Sequence, residues 1–434
     1  MRSRGSLRDD DTCGWWNVLP SPPPARRLTA DAVADCVVVG AGFTGLAIAR
    51  QLALRQPAWQ IALVEGQRAG YGASGRNSGF AGAITHLDPT RGVEEALRLG
   101  RLCRTGIDAL RSVVRERNIA CDWTECGRIH AAAGDHALRN LEGFLRILEG
   151  SGEAHEVLDH RALAAALGTD HYRAGVHVAS TVLLQPAALA RGLAGALPEN
   201  VTLYEQSPVR RIRHEGRWRV DAGEGTVRAD RAFLAVNGYA AALGVLRRRV
   251  FPLLTFASWT RPLAPDERAQ VGDREQWGLV AEDRMGTTLR RTSDGRILVR
   301  SVVRYAPSLR LGERDFARIR EEHWRSLRAR WPGLTGVELE SSWGGVLGMT
   351  LNQGQCFGRV GPELYASLGY NGTGVVMGTA SGMLLADYAV GAESAFLRDA
   401  LALPRPAWLP PQPFLGWGVR PAVAFLGWRA GAER

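Results

Sequence analysis

The segment GAGFTG constrains this chain more than any other. It places Gly40, Gly42 and Gly45 in G-x-G-x-x-G spacing between two elements of readable type. Residues 36–39, CVVV, form the continuous apolar run that a strand buried on both faces requires. Residues 44–55 carry Ile48 and Leu52 on one helical face, and residues 61–64, IALV, read as a second buried strand. This is a βαβ unit. Within it the first glycine allows a tight turn, the second lets backbone approach a pyrophosphate, and the third lets helix pack on strand. The helix N-terminus, opening with Phe43 and Thr44, favours the negative charge. Glu65 lies 20 residues past Gly45 and Gly66 follows it. A carboxylate there accepts hydrogen bonds from both ribose hydroxyls and repels a 2′-phosphate, so the site favours FAD or NAD over NADP.

The 434 residues are too many for one ordinary core and enough for two interleaved domains. No apolar run approaches the roughly 20 residues that span a bilayer. The first residues have charge without an apolar stretch, unlike a secretory signal, and the expectation is a cytoplasmic protein. The net charge is +10. The arginines are scattered, and runs such as Arg247-Arg248-Arg249 are short, which argues against a nucleic-acid track. A basic surface or attraction of an anionic substrate remains. No lysine occurs, so all 54 basic residues are arginine. Schiff-base, P-loop and general-base lysine chemistry are thereby excluded. The six cysteines fit no common zinc spacing, have no histidine pair nearby, and read as free thiols; no metal site is expected.

Further along, residues 93–117 and 135–167 read as helices, the second interrupted near Gly150-Ser151-Gly152. Pro186 opens another helix with Leu189, Leu193 and Leu197 on its buried face. Residues 201–236 give short strands, residues 250–305 give more, and 314–330 look helical. Residues 1–30 and the Pro- and Trp-rich end from Leu401 read as irregular.

The glycine-rich loop after the second strand, GYGASGRNSGF at residues 70–80, selects between the two nucleotides by resemblance. A strand, a Glu and a loop of this form resemble the D-amino-acid oxidase (DAO) superfamily of FAD-dependent oxidoreductases. The resemblance runs from about residue 15 to about 390. It is carried also by Trp15-Trp16, LLQPAALARGLA (183–194), LAVNGY (234–239), SDGRILV (293–299), WGGVLGMT (343–350) and LGYNGTGVVMGTASGMLLAD (368–387). Within the superfamily the chain looks most like the gamma-glutamylputrescine oxidase-like branch. The resemblance implies an α/β fold: a Rossmann-type FAD-binding domain from residues 33–92, 168–245 and 338–392, interleaved with an α+β substrate domain from 93–167 and 246–337, built on a mostly antiparallel sheet. Residues 1–32 are a lead-in and 393–434 a tail.

For the cofactor, the resemblance implies contacts from Ala73, Ser74, Asn77, Ser78 and Gly79, and from Val209, Asn237, Gly238 and Gly345. A second glycine-rich segment, Gly369, Asn371, Gly372, Thr373 and Gly374, opens a helix whose N-terminus favours charge on the flavin. Gly378 and Gly382 permit that helix to pack closely on the sheet. Arg76 reads as a diphosphate or loop-ordering contact, or as a surface ion pair. Some relatives attach flavin through a cysteine; Gly345 stands at that position, so noncovalent FAD is expected.

The implied activity is oxidation of a carbon–nitrogen bond in a small amine or amino acid, by hydride transfer to flavin and hydrolysis of the imine. Oxygen or another electron acceptor takes the electrons, and D-amino-acid or N-methyl-amino-acid dehydrogenases feeding a quinone, or a flavoprotein subunit, are the alternatives. Many relatives place a lysine near the flavin to assist oxygen, and this chain has none. Candidate catalytic residues are His86, Tyr239, Arg300 and Trp343. His86 is otherwise structural, Tyr239 otherwise ends a strand, and Arg300 binds a substrate carboxylate or faces solvent. Trp343 packs against the flavin site or the core. The C-terminal FLGWGVRPAVAFLGWRAG either packs on the domain or touches a membrane surface.

Overall fold

A computed structural model describes residues 12–84, 93–240, 243–244, 246, 248–305, 307–309 and 313–434. The βαβ unit stands as read: strand Ala32–Val39, helix Phe43–Arg55, strand Ile61–Val64. Ala32–Val39 pairs in parallel with Ile61–Val64 on one side and Gly225–Leu234 on the other. Val201–Tyr204 and Leu364–Leu368 extend the parallel sheet outward, and Cys356–Gly361 closes one edge in antiparallel. An antiparallel meander, Val209–Glu215 and Arg217–Ala222, attaches beside Gly225–Leu234. The alternation explains the uninterrupted apolar run. Cys36 and Val38 pack with Leu46, Ile48 and Leu52 on the helical face. Val37 and Val39 pack with Trp218, Val220 and Val227 on the other.

Helix Val376–Ala389 lies against helix Phe43–Arg55, which corrects the expectation that its glycines face the sheet. A Cβ on Gly382 would sit 2.5 Å from the Thr44 carbonyl oxygen, so the two helix backbones touch only because that position is glycine.

The second sheet has eight strands in the order Leu339–Met349, Phe251–Thr260, Ile297–Arg304, Thr288–Arg291, Trp277–Ala281, Arg128–Ala132, Ala174–Val178, His155–Asp159. All neighbours are antiparallel except Trp277–Ala281 with Arg128–Ala132. Ala174–Val178 and Leu339–Met349, expected in the flavin-binding stretches, thus belong to this sheet. His155–Asp159 is a strand inside a region read as helical; helices Asp135–Ser151 and His160–Leu167 flank it. One face of the sheet packs Ile129, Leu279, Leu289, Ile297 and Val299 against Leu163, Leu327 and Trp331.

Both ends of the chain are more ordered than expected. Gly14–Asn17 is a short helix that buries Trp15, and Phe414–Arg429 is a helix containing Pro421. Glu433 reaches back so that its Oε1 accepts from the N–H groups of Ala133 and Gly134, at 2.7 and 2.9 Å, where helix Asp135–Ser151 begins without a side-chain cap of its own. Among the described residues no helix is long and apolar enough to cross a membrane.

The two-sheet core contains one titratable group with a definite consequence. His323 is fully buried on helix Glu313–Arg330, with Nδ1 2.7 Å from Ser258 Oγ, which in turn lies 2.7 Å from Ser342 Oγ. Burial pushes its pKa down to about 3. An unfolded histidine titrates near 6.5. Above that pH neither state binds the proton. Below it the unfolded chain gains a proton that the folded chain refuses, so stability falls by about 1.4 kcal/mol per pH unit from this residue. His323→Gln is expected to melt lower than the parent at neutral pH. Its melting temperature is also expected to fall less between about pH 7 and pH 5, as read by thermal unfolding at each pH.

Candidate active site

The glycine turn and the loop of residues 70–80 form one body. Gly40 has φ of +100°, and a Cβ on Gly45 would lie 1.7 Å from the Gly40 carbonyl oxygen, so the turn closes as the spacing demands. Glu65 ties the turn together: its carboxylate accepts from Ala41 N–H at 2.8 Å and from Gln67 N–H at 2.9 Å. Burial pushes its pKa up and these bonds pull it back. Gly42 offers no side-chain cap to helix Phe43–Arg55; instead Ser74 Oγ crosses over and accepts from Phe43 N–H at 3.0 Å.

Two indole N–H groups hold the next residues. Trp343 Nε1 donates to the Arg76 carbonyl at 3.0 Å, and Trp15 Nε1 donates to the Asn77 carbonyl at 2.8 Å. Trp15, Trp259 and Trp343 pack edge to face, with centroids 5.0, 5.6 and 6.4 Å apart. The fully buried Arg290 donates to the Leu184 carbonyl at 2.5 Å and to those of Ser78 and Gly79 at 3.3 Å. Asn77 Oδ1 accepts from Gly79 N–H at 2.8 Å.

Two cavities meet along this loop. One of about 260 Å³ is lined by Gly40, Gly42, Phe43, Thr44, Glu65, Gly66, Ser74, Val209, Asn237, Gly238, Tyr239 and Gly374. The other, about 500 Å³, is lined by Arg76, Ser78, Arg300, Gly345, Asn371 and Thr373, and it lies against the second sheet. Ala73, Asn77 and Gly372 line both. Gly45, Gly79 and Gly369 line neither and act through the backbone; Gly369 N–H donates to Asn237 Oδ1 at 3.0 Å. Asn371 Oδ1 accepts from Thr350 N–H at 2.9 Å, which ties the late glycine-rich segment to strand Leu339–Met349. Helix Val376–Ala389 starts at the junction with no side-chain cap, so its positive end faces the space between the cavities.

Several candidates move. Arg76 lines the larger cavity, and its guanidinium donates to the carbonyls of Tyr71, at 2.9 Å, and Gly344, at 3.4 Å. It is buried, not on the surface, and it bridges its own loop to strand Leu339–Met349, as a loop-ordering residue would. Trp343 is buried and lines neither cavity, so it positions the loop. Tyr239 lines the smaller cavity and packs on Leu254, Phe256 and Val346 of the second sheet, and burial pushes its pKa up to about 12. His86 lies outside the described residues. Cys356 lines neither cavity, and Gly345 carries no thiol at the cavity wall. Among the described residues no cluster of His, Cys, Asp and Glu could hold a metal ion.

Sequence reasoning missed Arg128, Arg284, Arg290 and Tyr370. Arg128 and Arg284 line the larger cavity, and Tyr370 lines both. Burial pushes the pKa of Arg128, Arg290 and Arg300 down to about 10, which leaves each a cation at neutral pH. Nothing in a scattered arginine background marks Arg128, Arg284 and Arg290, whereas Tyr370 lies inside the second glycine-rich segment, LGYNGTG.

The site fits a dinucleotide with a ring at one end. A glycine turn, a carboxylate beyond the second strand and a helix N-terminus capped by Ser74 from the neighbouring loop line one cavity. A second helix, without a side-chain cap, marks its junction with a larger cavity, against a sheet that presents a cation. This is the frame of a flavin-dependent oxidoreductase. Residues 35–388 match the family model described as DAO, FAD dependent oxidoreductase. The chain is 29% identical to gamma-glutamylputrescine oxidoreductase of Escherichia coli over 91% of this chain and 90% of that one. It is 27% identical to a probable oxidoreductase, OrdL, of Haemophilus influenzae over 84% of both. The structure resembles glycine oxidase from Geobacillus kaustophilus with a TM-score of 0.70 and 22% identity, covering 84% of this chain and 96% of that one. The chain belongs to the DAO family, and it is an FAD-dependent oxidoreductase.

Trp343→Phe keeps the ring and removes the N–H that holds the Arg76 carbonyl. Leaving that buried oxygen unpaired costs about 1–2 kcal/mol. FAD dissociation measured by fluorescence titration of the apoprotein is expected to weaken roughly tenfold, with the two-sheet core unaltered by circular dichroism.

Proposed function

We propose that this enzyme oxidises the carbon–nitrogen bond of a small amine that also carries a carboxylate, as an amino acid or a glutamylated amine does. Arg300 supports this reading more than any other residue. It sits on Ile297–Arg304, in the middle of the second sheet, and lines the larger cavity. Among the described residues its guanidinium meets no carboxylate and no hydrogen-bond acceptor, whereas the neighbouring Arg290 and Arg76 are engaged by backbone carbonyls. A buried cation without a partner is costly, and a bidentate carboxylate removes that cost. Thr288, directly across the strand pair, adds a hydroxyl to the same wall.

Among the described residues the lining contains four arginines, Arg76, Arg128, Arg284 and Arg300, and one carboxylate, Glu95. That balance favours an anionic group on the substrate and disfavours a plain polyamine, which is a multiple cation. The same potential lowers the pKa of an ammonium that enters the cavity. It therefore promotes the neutral amine, whose lone pair assists loss of hydride from the adjacent carbon. Bound FAD supplies the two-electron acceptor for that hydride. The resulting imine hydrolyses in water. γ-Glutamylputrescine, the compound in the name of the Escherichia coli relative, carries both an amine and a carboxylate.

The missing lysine supports a second reading of the oxidative half-reaction, in which electrons pass to a quinone or another acceptor in place of oxygen. Anaerobic bleaching of the flavin by glutamylated amines, N-methyl amino acids, D-amino acids and their decarboxylated counterparts tests the substrate class. The carboxylated compounds are expected to reduce the flavin; faster reduction by polyamines would reject the reading. In air, peroxide release separates an oxidase from an enzyme that reduces only a dye. Arg300→Met is expected to raise KM for a carboxylated amine by about 10²-fold or more, with little change for an uncharged amine of the same length.

A further inference from the structure

Helix Phe414–Arg429 has two faces with different surroundings. On its inner side Leu415, Val419 and Val423 pack on Phe251, Leu253, Tyr305 and Leu409, and Val423 and Leu426 form part of the wall of the larger cavity. Its outer side carries Phe414, Trp417, Phe425 and Trp428, which are 57%, 64%, 56% and 76% exposed. With Pro421 between them these positions recur every three or four residues, so they form one stripe. A helix apolar on all sides belongs in a core or in lipid, and here only one side has a core. Leu351, 59% exposed, also lines the larger cavity, so the apolar surface continues to the cavity mouth.

The charges carried by the helix have one sign, and of its arginines only Arg429 approaches an acid among the described residues, Asp283 at 3.9 Å. The helix contains Arg420 and Arg429 and no acid. Between residues 401 and 434 the only carboxylate side chain is Glu433, which is buried at the start of helix Asp135–Ser151. Arg405 and Arg420 meet no carboxylate among the described residues. Arg248 and Arg249 stack on the exposed Trp408 beside the helix and donate to the carbonyls of Leu409 and Pro406.

We propose that this face docks on an anionic lipid bilayer. The helix would lie in the headgroup boundary, with its aromatic side chains inserted and the arginines among phosphates. Its 16 residues span only about 24 Å, less than the roughly 30 Å of a hydrocarbon core, so it rests in the surface and does not cross it. A second copy of the chain is the weaker occupant. A twofold contact would set this patch against itself, and the patch has arginines with no acid to meet them. Docking would turn the mouth of the larger cavity toward the membrane. The inference goes beyond the assignment of the substrate and does not depend on it.

Flotation of the FAD-loaded enzyme with vesicles of phosphatidylglycerol and phosphatidylcholine, or of phosphatidylcholine alone, tests it. The parent is expected to bind the anionic vesicles at least about tenfold more strongly than the neutral ones, and to release at high salt. The variant Trp417→Ser/Phe425→Ser/Trp428→Ser is expected to lose binding to both. Arg405→Gln/Arg420→Gln is expected to bind anionic vesicles no better than neutral ones. Both variants are to be compared only where flavin absorbance and bleaching by a soluble amine match the parent. Failure of the parent to bind anionic vesicles would overturn the proposal, as would equal binding by the triple variant. A dimer of the parent in sedimentation that Trp417→Ser dissociates would overturn it too, and assign the face to a second copy.

Discussion

The hydrogen bonds from Trp15 and Trp343 to consecutive carbonyls, those of Asn77 and Arg76, are the interaction on which the site depends. The loop they hold contains a single 3-10 turn, Ala73–Gly75, yet it must cap the first helix through Ser74 and border both cavities. The two indoles come from opposite ends of the chain order. Trp343 belongs to the second sheet, and Trp15 belongs to the short helix ahead of the first strand. Gln185 extends the arrangement by donating to the Trp15 carbonyl at 2.7 Å while capping helix Pro186–Gly195. The cavity walls are therefore fixed relative to one another only after both sheets have formed.

Arginine performs in this chain the work that a mixed basic composition usually divides. Arg76, Arg128 and Arg290 donate to main-chain carbonyls inside the fold, and Arg330 holds the Ser326, Glu433 and Arg434 carbonyls near the C-terminal end. A planar guanidinium suits this role because its donors diverge in fixed directions, whereas an ammonium is a compact and strongly hydrated charge. Against that background Arg300 differs in kind. It is half-buried at the wall of the larger cavity, where the clamping arginines are buried, and among the described residues nothing accepts its protons. The contrast between neighbours on adjacent strands, Arg290 and Arg300, separates a structural cation from one available to a ligand.

The parts of the site that follow from backbone geometry were legible in the sequence. A glycine turn needs particular residues at particular spacings, and a doubly buried strand needs an unbroken apolar run, so the βαβ unit and Glu65 could be read directly. Of the second sheet, the strands between residues 250 and 305 were legible and the mostly antiparallel sheet was expected from the resemblance, but Arg128–Ala132 and Ala174–Val178 were not read as strands, and their pairing with residues far away in sequence was hidden. His155–Asp159 was hidden by polar residues at an edge. Trp343 was read as part of the flavin site or core because an indole N–H carries no sign of which carbonyl it will meet. Gly378 and Gly382 announced close approach without saying to what. The helix Phe414–Arg429 was hidden by Pro421 and three glycines, which lower intrinsic helix propensity; packing of its inner face on the second sheet overrides that preference.

The two cavities impose different electrostatic demands, and the fold meets them with different devices. The smaller cavity uses partial charges: the N-terminus of helix Phe43–Arg55 and main-chain N–H groups, with one carboxylate at the far end. The larger cavity uses full charges on the second sheet, and burial weakens their screening by solvent. The helix Val376–Ala389 starts at the junction and adds positive potential there. Negative charge gained at the junction is therefore stabilised from the side of the helix. In the proposed reaction the same cationic wall that would orient a substrate carboxylate would press the amine toward its neutral form. One arrangement of arginines would then serve orientation and deprotonation together, and a chain without lysine would need no dedicated general base for the proposed oxidation.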